Sequence, residues 1–249
     1  MKKTSFLLFV LFLVGILTSC HKEPEKSIAF GNTKGMTVTV YDSIMEYDDD
    51  FHPFILDLNN NGIGDIKIQT NYDGPLAIGE FQTLTIYCLN ENVELQGEMV
   101  EKESYIHRDS IVSIENGWTT ITYDYCYSNC EPFDENDQVD TSVRFELYAN
   151  NYGDPINVDD YFQSTELTLF RESYEYQLHD QDYETQIDVV NHSKYIFNCW
   201  NFPSNADKYI GFKITKDGQT RLGWLKLRLI GYPDDDVVNV QLLETAIQE

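Results

Sequence analysis

Basic residues are scarce in this chain, and their scarcity argues against one class of partner. The 249 residues include 17 Lys+Arg against 42 Asp+Glu, which gives a formal net charge of −25. A surface with this balance repels phosphate backbones, so we expect no nucleic-acid partner. The same charge suits calcium ions, basic partners or simple solubility.

The chain also lacks the short motifs that carry chemistry in common enzyme families. It contains no G-x-S-x-G, no H-E-x-x-H, no phosphate-binding P-loop and no glycine-rich dinucleotide loop, and its five histidines are scattered without metal-ligand spacing. We therefore expect no enzymatic activity. The alternative is an exported glycan hydrolase that uses a pair of carboxylates from the middle of the chain.

No apolar run reaches the roughly 20 residues that a membrane-spanning helix needs. The apolar run from Phe6 to Leu17 follows Lys2 and Lys3 and precedes the small residues Thr18 and Ser19. A basic start, a short apolar run and a small-residue cleavage site are typical of an export signal. The segment is therefore predicted to be a signal peptide and not a membrane span.

The tetrapeptide Leu17-Thr18-Ser19-Cys20 resembles the lipobox of bacterial lipoproteins. The resemblance implies cleavage before Cys20, followed by acylation of its thiol and of its new amino group. Several acyl chains make a lasting anchor where one gives only marginal binding. The expected localisation is lipid-anchored to the outer membrane, on its periplasmic or its cell-surface face. Residues 1–19 would be the signal peptide, 20–27 the lipidated cysteine and its tether, and 28–249 the main domain.

Apolar residues recur at every second position through most of the remaining chain. Examples are Met36–Tyr41, Thr83–Cys88, Val143–Tyr148 and Tyr209–Ile214. This period is typical of β-strands with one buried face, and turn-forming residues separate the runs. We predict an all-β chain folded as a single antiparallel β-sandwich, with a β-barrel as the alternative.

One hairpin and one bulge are predicted near the C-terminus. The dipeptide Asp217-Gly218 separates two alternating runs, and Asp-Gly is a strong hairpin signal because both turn positions favour a positive φ. After it, Leu222 and Trp224 share one parity, whereas the leucines from Leu225 onward share the other. A bulge near Gly223 would bring both sets to one face.

The sharpest local motif is the nine-residue segment from Asp57 to Asp65, Asp-Leu-Asn-Asn-Asn-Gly-Ile-Gly-Asp. It matches the first nine positions of a calcium-binding loop, with Gly62 at the sharp turn, but Ile68 replaces the terminal glutamate of an EF-hand. The candidate ligands are Asp57, Asn59, Asn61, the carbonyl of Ile63, and Asp65. Since only two of them are charged, the affinity for Ca²⁺ should be weak, with a Kd of about 10⁻⁴ to 10⁻³ M. The alternative is a tight Asn/Gly turn between two strands.

Four cysteines follow the lipobox, and an even number in an exported chain permits disulfides. The candidate pairs are Cys88 with Cys199 and Cys126 with Cys130. The second pair requires a turn, because four residues of straight strand span about 13 Å, beyond the ~7 Å limit for a bridge. Buried free thiols and a zinc site are the alternatives.

The two ends of the chain resemble a diffuse group of secreted or anchored bacterial β proteins. The similar segments are the Asp57–Gly62 loop and the C-terminal hairpin from Lys208 to Leu227, with its Gly-Trp-x-x-Leu ending. This resemblance implies a β fold but no activity. The sequence thus favours a membrane-anchored binding or structural module with a glycan or protein ligand.

Overall fold

The computed structural model describes residues 25–45, 53–73, 81–129, 131–171, 173–197, 202–203, 205–232 and 235–249. Within these ranges the chain forms sixteen β-strands and no helix. The predicted signal peptide and Cys20 lie outside the described residues. None of the described residues forms a helix that is long and apolar enough to cross a membrane.

The strands are named in chain order. They are β1 (Ser27–Ala29), β2 (Met36–Met45), β3 (Phe54–Leu56), β4 (Ile66–Asp73), β5 (Phe81–Cys88), β6 (Val93–Glu115), β7 (Trp118–Ser128), β8 (Gln138–Leu147), β9 (Pro155–Asn157), β10 (Phe162–Gln163), β11 (Glu166–Arg171), β12 (Tyr174–Asp182), β13 (Ile187–Ile196), β14 (Asp207–Lys216), β15 (Gln219–Tyr232) and β16 (Asp235–Gln248).

These strands form one large sheet and two smaller ones. The main sheet has the order β12-β13-β7-β6-β14-β15-β16-β2, with β8 and β10 also paired to β6. A four-stranded sheet has the order β11-β5-β4-β3, and β1 pairs with β9. Within the described residues the main sheet ends at β12 and β2 without closing on itself. The predicted β-sandwich is therefore confirmed, and the barrel alternative is wrong.

The core lies between the four-stranded sheet and one half of the main sheet. Buried side chains from β4 and β5, such as Ile68 and Ile86, pack in one cluster with Leu95 of β6, Phe212 of β14 and Leu227 of β15. A second apolar cluster covers the other face of the same half and includes Phe30, Ile156 and Trp224. This half of the main sheet is thus buried on both faces.

Burial on both faces corrects the prediction of a bulge near Gly223. The pairing of β14 with β15 runs without interruption from Asp207–Arg228 to Lys216–Gln219, and Gly223 lies opposite Phe212. Leu222 and Trp224 point into one apolar cluster, whereas Leu225 and its alternating successors point into the other. The change of parity therefore needs no extra residue.

Gly223 has a different role, because its missing side chain makes room for a ring. A Cβ atom at this position would lie 2.3 Å from Cζ of Phe212 and 2.6 Å from the backbone oxygen of Ala246. The turn at the start of the same strand is as predicted: Asp217 has φ of 53° and Gly218 has φ of 76°. These values are those of the two-residue hairpin that Asp-Gly favours.

The other half of the main sheet extends beyond the core. We call this part the outer sheet, and it consists of β12, β13, β7 and residues 105–115 of β6. Arg108 to Glu115 are all exposed, as expected for strands without a second layer. The pairing of β13 with β7 is parallel, whereas the other pairs of described strands are antiparallel. A parallel pair requires a long connection, and the 58 residues between β7 and β13 provide it.

Candidate functional site

A cleft lies where the outer sheet meets the four-stranded sheet. It has a volume of about 590 Å³, is open to solvent, and is within the size range of ligand pockets. We call it the aromatic cleft. Its lining residues are Met99, Tyr127, Asn129, Val143, Arg144, Phe145, Glu146, Leu147, Gln163, Thr165, Glu166, Leu167, Thr168, Leu169, Arg171, Phe197 and Phe202.

Strand geometry places the aromatic rings of the cleft. Tyr127 lies opposite Tyr195 in the parallel pair of β7 and β13, so both side chains are on one face of the outer sheet. The ring of Tyr127 lies 5.7 Å from that of Phe197, centroid to centroid, and Tyr195 stacks on Phe197 at 6.3 Å with an interplanar angle of 16°. Tyr125 continues this aromatic row, 5.9 Å from Tyr195. The cleft thus opens at the end of a row of aromatic rings.

Hydrogen bonds hold the ends of these strands in place. The amide of Asn129 donates to the carbonyl of Ile196 at 3.3 Å, joining the end of β7 to the end of β13. The amide of Phe197 donates to Oγ of Ser173 at 2.9 Å. The backbone at Ile196 and Phe197 is therefore held from both sides.

Polar and charged groups complete the lining. Oε1 of Glu146 lies 3.4 Å from Nε of Arg144, and Oε2 lies 3.2 Å from Nζ of Lys102. The guanidinium carbon of Arg171 lies 4.6 Å from the centroid of the Phe197 ring, within cation–π range. Gln163 contributes a buried Oε1 that accepts no hydrogen bond within the part of the chain that the structure describes. Aromatic faces next to hydrogen-bonding groups suit a ligand that is itself amphipathic.

The predicted calcium loop forms a compact turn between β3 and β4. Asp57 accepts hydrogen bonds from the amides of Asn61 and Gly62 at 3.0 and 2.6 Å, and Asn61 Oδ1 accepts one from the amide of Ile63 at 2.8 Å. All five candidate ligand residues are therefore brought into one loop, flanked by strands as predicted. None of them lines the aromatic cleft.

Asp65 closes this loop from inside. Its side chain is fully buried, and Oδ2 accepts hydrogen bonds from the amide of Leu58 at 2.9 Å and from Nδ2 of Asn59 at 3.0 Å. Oδ1 accepts one from Nδ2 of Asn90 at 3.3 Å. Burial raises the pKa of Asp65, and the charge of Asp57 raises it further. A cation beside the two carboxylates would offset both effects.

The fit of calcium to this loop depends on Asn59. Its amide nitrogen faces Asp65, so its oxygen would have to turn towards a metal ion by rotation of the amide. Among the described residues, no group of three or more His, Cys, Asp or Glu side chains is placed to hold a metal ion. The loop supplies only two carboxylates, so the calcium site stays a prediction.

Of the four cysteines that follow Cys20, two lie in the described residues and two do not. Cys88 and Cys126 carry free thiols in the structure, so neither is in a predicted bridge there. Cys130 and Cys199, their predicted partners, lie outside the described residues. Burial raises the pKa of the thiols of Cys88 and Cys126, which makes both weak nucleophiles at neutral pH.

The opposite face of the outer sheet carries a chain of charged groups. Nδ1 of His192 lies 2.7 Å from Oδ1 of Asp124, and its Nε2 lies 2.8 Å from Oε1 of Glu175. Nζ of Lys194 reaches the same glutamate at 3.1 Å. Hydrogen bonds to Asp124 and then to Glu175 raise the pKa of His192, although partial burial opposes the shift. These contacts join β7, β13 and β12.

We expect this histidine to make the stability of the outer sheet depend on pH. Because its pKa is higher in the folded state, its stabilising effect is complete below the unfolded value of about 6.5 and is lost as pH rises through the folded value. We expect thermal unfolding between pH 5.5 and 8.5 to show this loss, and His192→Gln to remove it. Glu175→Gln should lower the pKa of His192 measured by NMR titration. A His192 pKa at or below about 6.5 in the wild type would contradict the prediction.

The fold and the site together define an all-β sandwich protein with an aromatic cleft. Comparison with protein-family models found no match, and neither did comparison with curated proteins or with solved structures.

Proposed function

We propose that this chain is an exported lipoprotein that is held at the outer membrane by acylated Cys20. We propose further that its β-sandwich binds a glycan in the aromatic cleft and catalyses no reaction on it. The lipobox sequence supports the anchor. The observation that carries the binding function is the cleft of about 590 Å³ lined by Tyr127, Phe145, Phe197 and Phe202.

A glycan suits this lining better than a purely apolar ligand does. Sugar rings present apolar C–H faces that pack on aromatic rings, and they present hydroxyl groups at their edges. The cleft provides a match for both, because its aromatic and aliphatic residues can pack on the C–H faces and Gln163 and Asn129 can bond the hydroxyl groups. Few polar groups in an otherwise apolar pocket are what orient a bound ligand.

The arrangement of carboxylates favours binding over hydrolysis. Glu146 and Glu166 both line the cleft, and a glycosidase needs two carboxyl groups that flank the scissile bond. Both oxygens of Glu146 are engaged by cations, Lys102 and Arg144, which it would have to leave in order to reach a glycosidic oxygen. The hydrolase remains the second candidate because the two carboxylates share one cleft.

The binding function is tested by titrating the detergent-purified full chain with a panel of neutral and acidic oligosaccharides. We expect Tyr127→Ala to weaken binding at least tenfold, which is about 1.4 kcal/mol. The substitution removes one of the two neighbouring rings, Tyr127 and Phe197, on which a sugar would pack. Tyr183→Ala is the matched control, since Tyr183 is 74% exposed and outside the cleft. Binding that survives Tyr127→Ala would contradict the cleft as the site. Release of reducing ends that is lost in Glu146→Gln or Glu166→Gln would favour the hydrolase.

We further propose that Ca²⁺ braces the Asp57–Asp65 loop. Calcium at ten times its Kd should stabilise the fold by about 1.4 kcal/mol. For a chain of this size the midpoint of thermal unfolding should rise by roughly 3 to 6 °C relative to EDTA. Asp57→Asn should abolish the shift while keeping one acceptor for the loop amides.

Asp134→Asn is the matched control for this prediction. Asp134 lies in a second acidic loop, where its Oδ1 accepts a hydrogen bond from the amide of Asn136 at 3.0 Å. We expect calcium to raise the midpoint of thermal unfolding of Asp134→Asn by as much as that of the wild type. The absence of a shift in the wild type, or an equal shift in Asp57→Asn, would reduce the loop to a hydrogen-bonded turn.

A further inference from the structure

Two of the five arginines in the chain line the aromatic cleft, Arg144 and Arg171. Nζ of Lys102 forms an ion pair with the lining residue Glu146 at 3.2 Å, so it offsets the charge of that carboxylate. The cleft thus has two arginines in its lining although the net charge of the chain is −25. The second acidic lining residue, Glu166, is exposed, so water and salt screen its charge.

Each arginine is oriented by the residues around it. The guanidinium of Arg171 lies over the Phe197 ring, with its central carbon 4.6 Å from the ring centroid, a contact that arginine commonly makes with aromatic faces. The Arg144 side chain is 41% exposed although its Nε is buried, so its terminal nitrogens reach solvent. That Nε lies 3.4 Å from Glu146 without forming a hydrogen bond. The terminal nitrogens of Arg144 can therefore face an anion in the cleft, and the guanidinium of Arg171 belongs to the same lining.

Gln163 adds a hydrogen-bond acceptor that a donor group of a ligand would pair with. Its Oε1 is buried and accepts no hydrogen bond within the described part of the chain. Buried acceptors are normally satisfied, and rotation of the Gln163 amide towards the cleft would let a hydroxyl group of a ligand satisfy this one. The ligand thus needs an apolar face for the rings, a hydroxyl for Gln163 and an anionic group for the arginines.

We infer that the aromatic cleft binds a glycan whose sugar rings carry carboxylates, that is, a uronic acid oligosaccharide. The inference rests on the proposed glycan-binding function and names its substrate class. A guanidinium group binds a carboxylate through two parallel N–H···O bonds, and such charge-assisted bonds are stronger than neutral ones. The C–H face of the same sugar ring would pack on Phe197 and Tyr127.

The test uses the detergent-purified full chain and calorimetric titration. The probes are oligogalacturonate, oligoglucuronate and alginate oligosaccharides, each paired with its methyl ester, which has the same rings without the charge. We expect at least one acid to bind at least tenfold more tightly than its ester, with an affinity that falls as salt rises. Arg144→Gln and Arg171→Gln should each reduce this preference to less than threefold. Arg221→Gln, at an exposed position in β15 outside the cleft, should leave it unchanged.

The outcomes separate this inference from the function on which it rests. Equal, Tyr127-dependent binding of acids and esters would overturn the carboxylate preference and leave glycan binding in place. No binding of acids, esters or neutral oligosaccharides would overturn both. Should Arg171→Gln lower the unfolding midpoint, Arg144→Gln decides the result, because its side chain is half exposed and its loss should leave the fold intact.

Discussion

Replacement of Trp224 by alanine is expected to lower the free energy of unfolding by about 3–5 kcal/mol, the range for removing a large buried aromatic side chain. Trp224 is fully buried and packs edge to face on Tyr209, with ring centroids 5.3 Å apart. It fills the cluster that covers one face of β15, next to Phe30. A cavity there could not collapse easily, because strands surround it. The midpoint of thermal unfolding should fall by roughly 6 to 20 °C.

Trp224→Phe is the matched control for this prediction. Nε1 of Trp224 is buried and has no hydrogen-bond partner among the described residues, so phenylalanine removes an unsatisfied donor while keeping much of the ring volume. We expect a loss of roughly 1–2 kcal/mol, since the smaller cavity is partly offset by the removal of that donor. Urea unfolding gives both free energies. Equal losses of unfolding free energy in Trp224→Ala and Trp224→Phe would show that packing around the ring is not what stabilises this cluster.

Replacement of Cys20 by serine is expected to abolish membrane attachment completely. Acylation of the thiol and of the new amino group both depend on processing at this cysteine, as the resemblance to the lipobox implies. Without acyl chains nothing that we propose would hold the domain at a membrane, because even a single chain gives only reversible binding. Labelled palmitate should therefore enter the wild type and not Cys20→Ser, and the wild type alone should sediment with the outer membrane.

Cys126→Ser is the matched control for acylation. Cys126 is a free, buried thiol in β7, so its replacement should leave palmitate incorporation unchanged. Incorporation into Cys20→Ser at the wild-type level would contradict the lipobox interpretation. A wild type that takes up no label would do the same.

Features that depend on neighbouring residues were predictable from the sequence. Alternation at period two predicted the strands, and Asp217-Gly218 predicted the hairpin between β14 and β15 because both are local properties of the chain. The turn between β3 and β4 was predicted for the same reason, from the residues between Asp57 and Asp65.

The prediction of a bulge near Gly223 was wrong. It assumed that β15 buries one face and exposes the other. The strand instead lies between two apolar clusters, so Trp224 and Leu225 are both buried although they point in opposite directions. The number of layers around a sheet depends on residues far along the chain, and no local pattern contains it.

The aromatic cleft was missed for a related reason. The alternation of Tyr123, Tyr125 and Tyr127 is visible in the sequence and could have indicated an aromatic face. Their neighbours Tyr195 and Phe197 come about seventy residues later and arrive through the parallel pairing of β13 with β7. The register of such a pairing depends on the whole fold, so the cleft becomes visible only in three dimensions.

The position of the last strand determines when this chain can fold. β16 lies between β15 and β2, and it pairs Gln248 with Met36, more than two hundred residues apart. Contacts of such long range slow folding, because closing so long a loop costs chain entropy before the contacts can offset it. Among the described strands, β2 therefore has no sheet partner until β16 is available. Local hairpins such as β14 with β15 do not need this strand, so the edge formed by β16 and β2 is expected to be completed late in folding.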